Sequence, residues 1–577
     1  MSRPLLATSA ASSALVIGAG LRGGPLLMRD AVSTPRSFLT DAALGLGETP
    51  ARAVPQDALI ALASHVVPGT VVVIALTWLA LVLAGVGAGL LAGRVVGGGW
   101  GPSCAAALVA VWNPYVAERL MQGQWSLLAG YAVVPWIVLA GGRIRRSERS
   151  GWALLWAAVV GAGLTPTGSL LAAVAVLVAV IAPAVWVKDG RRSAAALAPV
   201  VVGALPWLVA TAANTTSAPA DPGAAGVFAL RAEPGLGRVF TALGMGGIWN
   251  ADAVPASRTT WWAAVATVLF LGVVGVGWYV VVRGCRHTAT EYRWSSEFER
   301  SENLYRDPAT RNAGALLALA AATLVVLAST APGLAMMRAL IEHVPGAGLL
   351  RDTQKFLALL LPAVAIGAAA AVRGLTKLIP GGFAVAAVAL FVVAPLPDAA
   401  LRLHPVDLPK DWQTVADTVP ADRGAVALWP TGMTRDYSFA PTQSLDPARR
   451  LLRAPVLETG ELTVDGKRVD ADPSSRAARV QRALQRGAGS AELAGMGVGW
   501  VLVEEPDRNG TPRGITSVAP VFTGDWLQLY RVENPVIVDG ASAARRAIVL
   551  GAHLLWLAAL VAAVSAAARR LARSRRR

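Results

Sequence analysis

Hydrophobic residues run through this chain in long uninterrupted blocks, without the period of a soluble helix or the alternation of a half-buried strand. Windows of about nineteen residues, bounded by charges or by Gly and Pro, predict about twelve membrane spans. They fall at 4–21, 68–93, 99–115, 124–142, 151–164, 166–187, 194–212, 258–283, 312–331, 354–372, 380–397 and 543–566. The fifth is short, and the LTPTG break at Leu164–Gly168 also fits a kink within one re-entrant hairpin. Two stretches depart from the pattern. Residues 22–67 form a polar, proline-punctuated segment just after the first span, and 398–542 alternate short apolar runs with charged ones. Within the latter, GAVALWP (424–430), VGWVLVE (498–504) and WLQLYRVE (526–533) predict strands, and 474–497 predicts a helix, so a small α/β domain is expected.

Composition agrees with a membrane protein. The chain has 577 residues, 54% hydrophobic and only 15% charged, which excludes a soluble multidomain protein. A net charge of +16 could suggest nucleic acid. The basic residues, however, sit in short clusters between apolar runs and at the tail (142–150, 188–192, 283–311 and the final RRLARSRRR), as the positive-inside rule requires. No nucleic-acid partner is expected. With twelve spans, all four clusters fall on one side, which predicts a multi-pass protein of the plasma (inner) membrane with both termini cytoplasmic. The expected organisation is therefore a transmembrane domain (1–397) with an external loop at 22–67, an extracytoplasmic α/β domain (398–542), and a last span with a basic tail (543–577). The N-terminus resembles a signal peptide, but further spans follow, so an uncleaved first helix is the better reading. Two cysteines, Cys104 and Cys285, indicate no disulfide framework.

The chain lacks a Walker loop, a strand-linked dinucleotide fingerprint, a nucleophile elbow and any Cys/His metal spacing, and its five histidines are scattered. No metal site is expected. A secondary transporter should carry charges at mid-span, and few are present. What remains are ionisable residues at the external membrane surface. Asp30, beside Arg29 and just after span one, can serve as a general base towards a sugar hydroxyl or can form an ordinary surface salt bridge. In VPQDALIALASHVV, Asp57 and His65 are spaced to share one face of an interfacial helix, where with Arg29 they can line a substrate pocket, or Asp57 can support the helix N-terminus. In WNPYVAERLMQGQW (112–125), Glu118, Arg119 and Gln122 lie between two spans, where they can line a substrate pocket or close a turn with a structural ion pair. In GLLRDTQKFLALLLP (348–362), Arg351 and Lys355 share a helical face at i, i+4. There they can grip a lipid-linked phosphate or snorkel to headgroups.

Together, RDAVSTPRSF after span one, WNPYVAERLMQGQW, LLRDTQKFLA, DWQTVAD and the VGWVLV strand resemble actinobacterial multispanning proteins related to the GT-C superfamily of glycosyltransferases. That superfamily includes the arabinofuranosyl- and mannosyltransferases of cell-envelope synthesis. The resemblance implies a GT-C-like α-helical polytopic fold and a polyprenyl-phosphate-linked sugar as donor, with no separate cofactor. It also implies inverting or metal-sparing transfer on the outer face to an envelope glycan or glycolipid, and a catalytic carboxylate in the first external loop, a role only Asp30 matches by position. The chain has Arg29-Asp30-Ala31 where some branches carry paired Asp-Glu. On this reading Arg351 and Lys355 bind the donor phosphate, Glu118 or Gln122 contacts sugar or acceptor, and membrane lipid and envelope-assembly proteins are the remaining partners. The alternative is a non-catalytic scaffold or lipid-glycan binding protein in an envelope assembly complex.

Overall fold

The computed structural model describes residues 2–49, 51–97, 99–214, 220–291, 308–344, 346–400, 402–464, 466–470 and 472–574. Among these, nine helices are long and apolar enough to cross a membrane. They are Arg3–Arg22, Gly69–Val96, Leu127–Arg145, Pro166–Trp186, Gly190–Ala213, Trp262–Gly284, Pro308–Ala328, Thr353–Leu375 and Ala543–Arg570. Three other expected spans form shorter helices, Trp100–Val111, Arg149–Ala162 and Gly381–Val393, of 12, 14 and 13 residues. At 1.5 Å per residue these reach only about 18–21 Å, short of a hydrocarbon core of about 30 Å. Among the described residues, nine of the twelve expected spans are thus long and apolar enough to cross a membrane by themselves, and the other three are shorter helices. The LTPTG break separates two helices: Thr165 caps Pro166–Val176 by accepting from the Gly168 amide at 2.9 Å. Most of the charged stretch expected as a linker, 292–307, lies outside the described residues.

The bundle has two chemically distinct ends. At one, Arg94 and Arg146 approach Glu148 at 4.0 and 2.8 Å, Arg373 donates to the Val96 carbonyl, and Arg145 donates to Thr310. At the other lie the 22–68 segment, a short helix Pro114–Met121, the 224–258 segment and the sheet-bearing region.

That region holds ten strands together with the hairpin near the N-terminus: β1 (Leu26–Met28), β2 (Ala31–Ser33), β3 (Ala425–Trp429), β4 (Thr434–Arg435), β5 (Ser444–Leu445), β6 (Leu462–Val464), β7 (Lys467–Val469), β8 (Val498–Glu504), β9 (Pro520–Thr523) and β10 (Leu527–Arg531). The main sheet has order β3-β8-β10-β9, with β3 parallel to β8 and the other pairs antiparallel. Every residue of β8 is buried, because alternate side chains enter two different cores. Trp500 and Leu502 pack with Trp412 of the helix Asp411–Thr418, while Val501 and Val503 pack with Val480 and Leu484 of Arg476–Arg486. The single helix expected over 474–497 is two, Arg476–Arg486 and Ser490–Gly495, because Gly487 takes φ +83° and caps the first.

The β1–β2 hairpin joins the two halves of the molecule. Leu26, Met28 and Ala31 lie in the core of the helical bundle, whereas Leu27 and Val32 lie in the core under the main sheet. Its base bridges to Pro405 and its tip to Ser444 of β5.

Candidate active site

The site is built where the hairpin tip meets the turn after Pro114–Met121. The local sequence dictates that turn. Asn113 is extended, as a residue before proline must be, and its side chain accepts from the Val116 amide at 3.0 Å, while Pro114 opens the helix. The helix ends in a Schellman motif: the Gly123 amide donates to Leu120 O (2.9 Å) and the Gln124 amide to Arg119 O (2.8 Å). Gly123 has φ +82°, and a Cβ there would lie 2.2 Å from the Ala31 nitrogen and 2.5 Å from Met28 O. Only glycine lets the hairpin tip approach this closely. The Asp30 amide then donates to Gln122 O at 3.1 Å.

A polar relay runs from Asp30 into the bundle. Gln124 Nε2 donates to Asp30 Oδ2 at 3.1 Å, and Gln124 Oε1 accepts from Arg119, so both ends of one amide are fixed in sense. Arg119, fully buried, forks onto Asp352 at 2.7 and 3.1 Å and also donates to Gln354 Oε1. Burial pushes the Asp30 carboxyl above the usual carboxylate range, against the opposing pull of Gln124, Gln122, Arg119 and Arg52. Asp352 goes the other way: burial raises it, but the Arg119 guanidinium outweighs burial and holds it below. The arrangement is an oriented carboxylate with raised proton affinity at the edge of a buried ion pair, which suits a proton acceptor.

The expected cations flank this relay, though not as a pair on one helix. Asp352 interrupts the backbone, and the following turns, Thr353–Leu360, are 3-10, so i, i+4 spacing does not stack the two side chains. Arg351 instead forks onto Asp470, at the end of the β6–β7 hairpin, at 2.6 and 2.7 Å, and lies over the Phe228 ring at 4.4 Å. Arg52 reaches the same carboxylate at 2.7 Å. Lys355 is buried and donates to Leu349 O and to Thr167 Oγ1 (3.2 Å).

Other expected pocket residues serve as struts. Glu118 is fully buried and accepts from the Gly247 and Ile248 amides (3.1 and 3.0 Å) and from Gln354 Nε2 (3.1 Å), so it clamps the 246–248 segment and has no side presented to a sugar. Gln122 Oε1 accepts from Asn250 at 2.7 Å. Arg29 is held by the Met121 and Asp252 carbonyls, at 2.7 and 2.5 Å, which staples the hairpin in place. Asp57 and His65 do not share a face: their helix stops at Ala63, His65 is exposed beyond it, and Asp57 is buried against Arg450 at 3.2 Å. The motif reading missed Gln124, Gln354, Asp470, Arg52 and the fully buried Arg258–Glu233 pair. Gln124 stood inside the quoted WNPYVAERLMQGQW turn and, three residues after the proline-led helix Pro114–Met121 and beside Gly123, was the residue best placed to leave the helix axis. Among the described residues, no group of three or more His, Cys, Asp or Glu side chains is arranged to hold a metal ion.

Fold and site define a multi-pass membrane protein in which one carboxylate, at the tip of a hairpin after the first helix, is oriented from the bundle interior. No protein-family model matches the chain, and no curated protein matches it in sequence. Among solved structures, the cryo-EM structure of arabinofuranosyltransferase AftD from Mycobacteria is similar over 92% of this chain and 40% of its own, with a TM-score of 0.53 and 16% identity. A mutant form of the same enzyme gives a TM-score of 0.54 and 15% identity over 94% of this chain and 42% of that one. The chain thus spans about two fifths of the length of the structures it matches. At this identity the likeness is one of fold alone.

Proposed function

We propose that the protein is a membrane glycosyltransferase of the inner membrane that moves a sugar from a polyprenyl-phosphate donor to an envelope glycan or glycolipid. In this reading Asp30 takes the proton of the acceptor hydroxyl as its oxygen attacks the anomeric carbon. The bond from that carbon to the phosphate oxygen breaks, and the polyprenyl phosphate departs with the electron pair, met by Lys355 and Arg351. Gln124 and Arg119 are positioning residues that keep the carboxylate aimed. The observation that carries the reading is the Gln124–Asp30 contact at 3.1 Å, anchored through the buried Arg119–Asp352 fork. The placement of the site at the end of the bundle opposite the arginine-rich one supports transfer on the outer face, with both termini cytoplasmic and 398–542 outside.

The test is transfer of labelled sugar from a polyprenyl-phosphate donor in membranes containing the full chain. Asp30→Asn is expected to abolish transfer without loss of folded protein; wild-type turnover in that variant removes Asp30 from the mechanism. A second reading, a lipid-glycan binding scaffold, is favoured by one observation: the fork of Arg351 is already filled by Asp470. Donor binding by wild-type protein with no turnover on any acceptor would select it.

A further inference from the structure

The carboxylate of Asp470 occupies a place that a phosphate would fill. It receives both terminal nitrogens of Arg351, at 2.6 and 2.7 Å, and one of Arg52, at 2.7 Å, on its two oxygens. A phosphate ester offers the same thing to such a site: paired non-bridging oxygens and negative charge in a plane that a guanidinium fork can meet. The Arg351 plane is further set by Phe228, whose ring it overlies at 4.4 Å. Two guanidiniums against one carboxylate also leave a positive excess, and Lys355 lies within electrostatic range of Arg351. The site is therefore suited to more negative charge than Asp470 supplies.

What delivers Asp470 is not part of the helical bundle. It follows the two-stranded β6–β7 hairpin, which leaves the main sheet after Glu458 and pairs only within itself. The hairpin is seated by a small apolar cluster of Leu462 and Val469 against Ala224, Phe228 and Trp249. A two-stranded hairpin on so small a seat is marginal by itself, so the three charge-assisted hydrogen bonds form a large part of what holds it down.

We propose that Arg52 and Arg351 form a binding site for a lipid-linked phosphate, and that Asp470 on the β6–β7 hairpin is a built-in anion that fills this site until the phosphate displaces it. The proposal rests on the glycosyltransferase reading for the identity of the phosphate, not for the existence of the site. A ligand that must first displace a resident carboxylate binds with its affinity reduced by the fraction of molecules in which the site is open. Asp470→Asn removes the competing charge at nearly unchanged shape.

The experiment measures binding of a fluorescent short-chain polyprenyl phosphate to the full-length protein in phosphatidylcholine nanodiscs, with inorganic phosphate and phosphatidylglycerol as competitors. Asp470→Asn is expected to tighten binding on the order of five- to a hundredfold, the usual range of such couplings. Arg52→Gln is expected to abolish that gain in the double variant. Val469→Ala touches no charge but loosens the seat of the hairpin, so it should move affinity in the same direction by less; it also serves if Asp470→Asn does not fold. Competition by neither inorganic phosphate nor phosphatidylglycerol assigns the site to a polyprenyl-linked phosphate, competition by phosphatidylglycerol assigns it to lipid phosphates in general, and competition by inorganic phosphate at equal concentration overturns the lipid-linked assignment. Unchanged or weaker binding in both Asp470→Asn and Val469→Ala makes Asp470 a structural strut and overturns the proposal. Asp30→Asn keeps the two readings apart: it should bind like wild type and transfer nothing, so a wild type that binds but never transfers defeats the enzyme reading while leaving the Asp470 result to stand by itself.

Discussion

Removing both partners of the Arg119–Asp352 pair should destabilise the protein less than removing Arg119 alone. Arg119 is fully buried and Asp352 only 12% exposed, so neither charge can turn to water when its partner is deleted. Arg119→Met strands the Asp352 carboxylate, at about 3–5 kcal/mol, and also strands the side-chain oxygens of Gln124 and Gln354, at roughly 1–3 kcal/mol each. Asp352→Leu strands the guanidinium, again at about 3–5 kcal/mol, although two amide oxygens still receive it. In the double variant neither member of the pair is left as a buried charge without its partner, and exchanging an ion pair for apolar side chains of similar volume is close to neutral, so the stranded amides are the main remaining cost. The double variant should therefore be at least about 3 kcal/mol more stable than the sum of the singles predicts. Equilibrium unfolding of the full chain in mixed micelles measures all three. Additivity within about 0.5 kcal/mol would mean that the pair does not interact as its geometry demands. Transfer activity should not return with stability, because Gln124 has lost the donor that aims it at Asp30.

Three further outcomes follow from the same geometry. Gly123→Ala must pay about 1–2 kcal/mol for a left-handed backbone and push the hairpin tip away from a Cβ otherwise 2.2 Å from Ala31 N, so kcat should fall about a hundredfold with Asp30 itself intact; a change within about twofold at saturating donor refutes the positioning role. Because burial raises the Asp30 pKa, the acid limb of kcat/KM should lie above the ordinary carboxylate range, and Gln124→Leu should move it higher still. The sign for stability is the reverse of the usual aspartate. The fold holds this proton more tightly than the unfolded chain does, so the contribution of Asp30 is complete in acid and is lost as pH rises through the folded pKa. Asp30→Asn should then be more stable than wild type at neutral pH and indistinguishable from it in acid, by the same unfolding assay.

The helical blocks and the three main strands were legible in sequence because each is set by local signals: uncharged length, Asn113-Pro114 as a cap, period-2 alternation in VGWVLVE. The failures share a physical cause. Span length was overcounted where short helices such as Trp100–Val111 are covered by neighbouring helices and need not match a bilayer by themselves. Arg351 and Lys355 were paired on the assumption of an α-helix, but the backbone is interrupted at Asp352 and Lys355 lies in the 3-10 segment Thr353–Leu360. Asp30 was found because it is near a span in the chain. Its partners were not, because Gln124, Arg119 and Asp352 lie 94, 89 and 322 residues away in sequence and meet only through packing. Glu118 shows the same limit in reverse: its position between spans looked like a pocket wall, and only the 247–248 amides reveal a clamp.

The hairpin that carries Asp30 has arms of three residues each, too few to hold a geometry without support. Its alternation divides it between two cores, with Leu26, Met28 and Ala31 committed to the bundle and Leu27 and Val32 to the sheet. Its tip is bonded on one side to the turn at Gln122 and on the other to Gln443 and Leu445. The direction in which the carboxylate points is therefore not a property of the 26–33 segment but of how the sheet-bearing region docks on the bundle. Asp470 reaches Arg351 by a separate route, on the β6–β7 hairpin, which pairs only within itself and is seated on Ala224, Phe228 and Trp249. The aim of the candidate base and the occupancy of the cation pair are thus set at different contacts, so loosening the β6–β7 seat frees Arg351 while the bonds at Gln122, Gln443 and Leu445 keep the Asp30 tip in place.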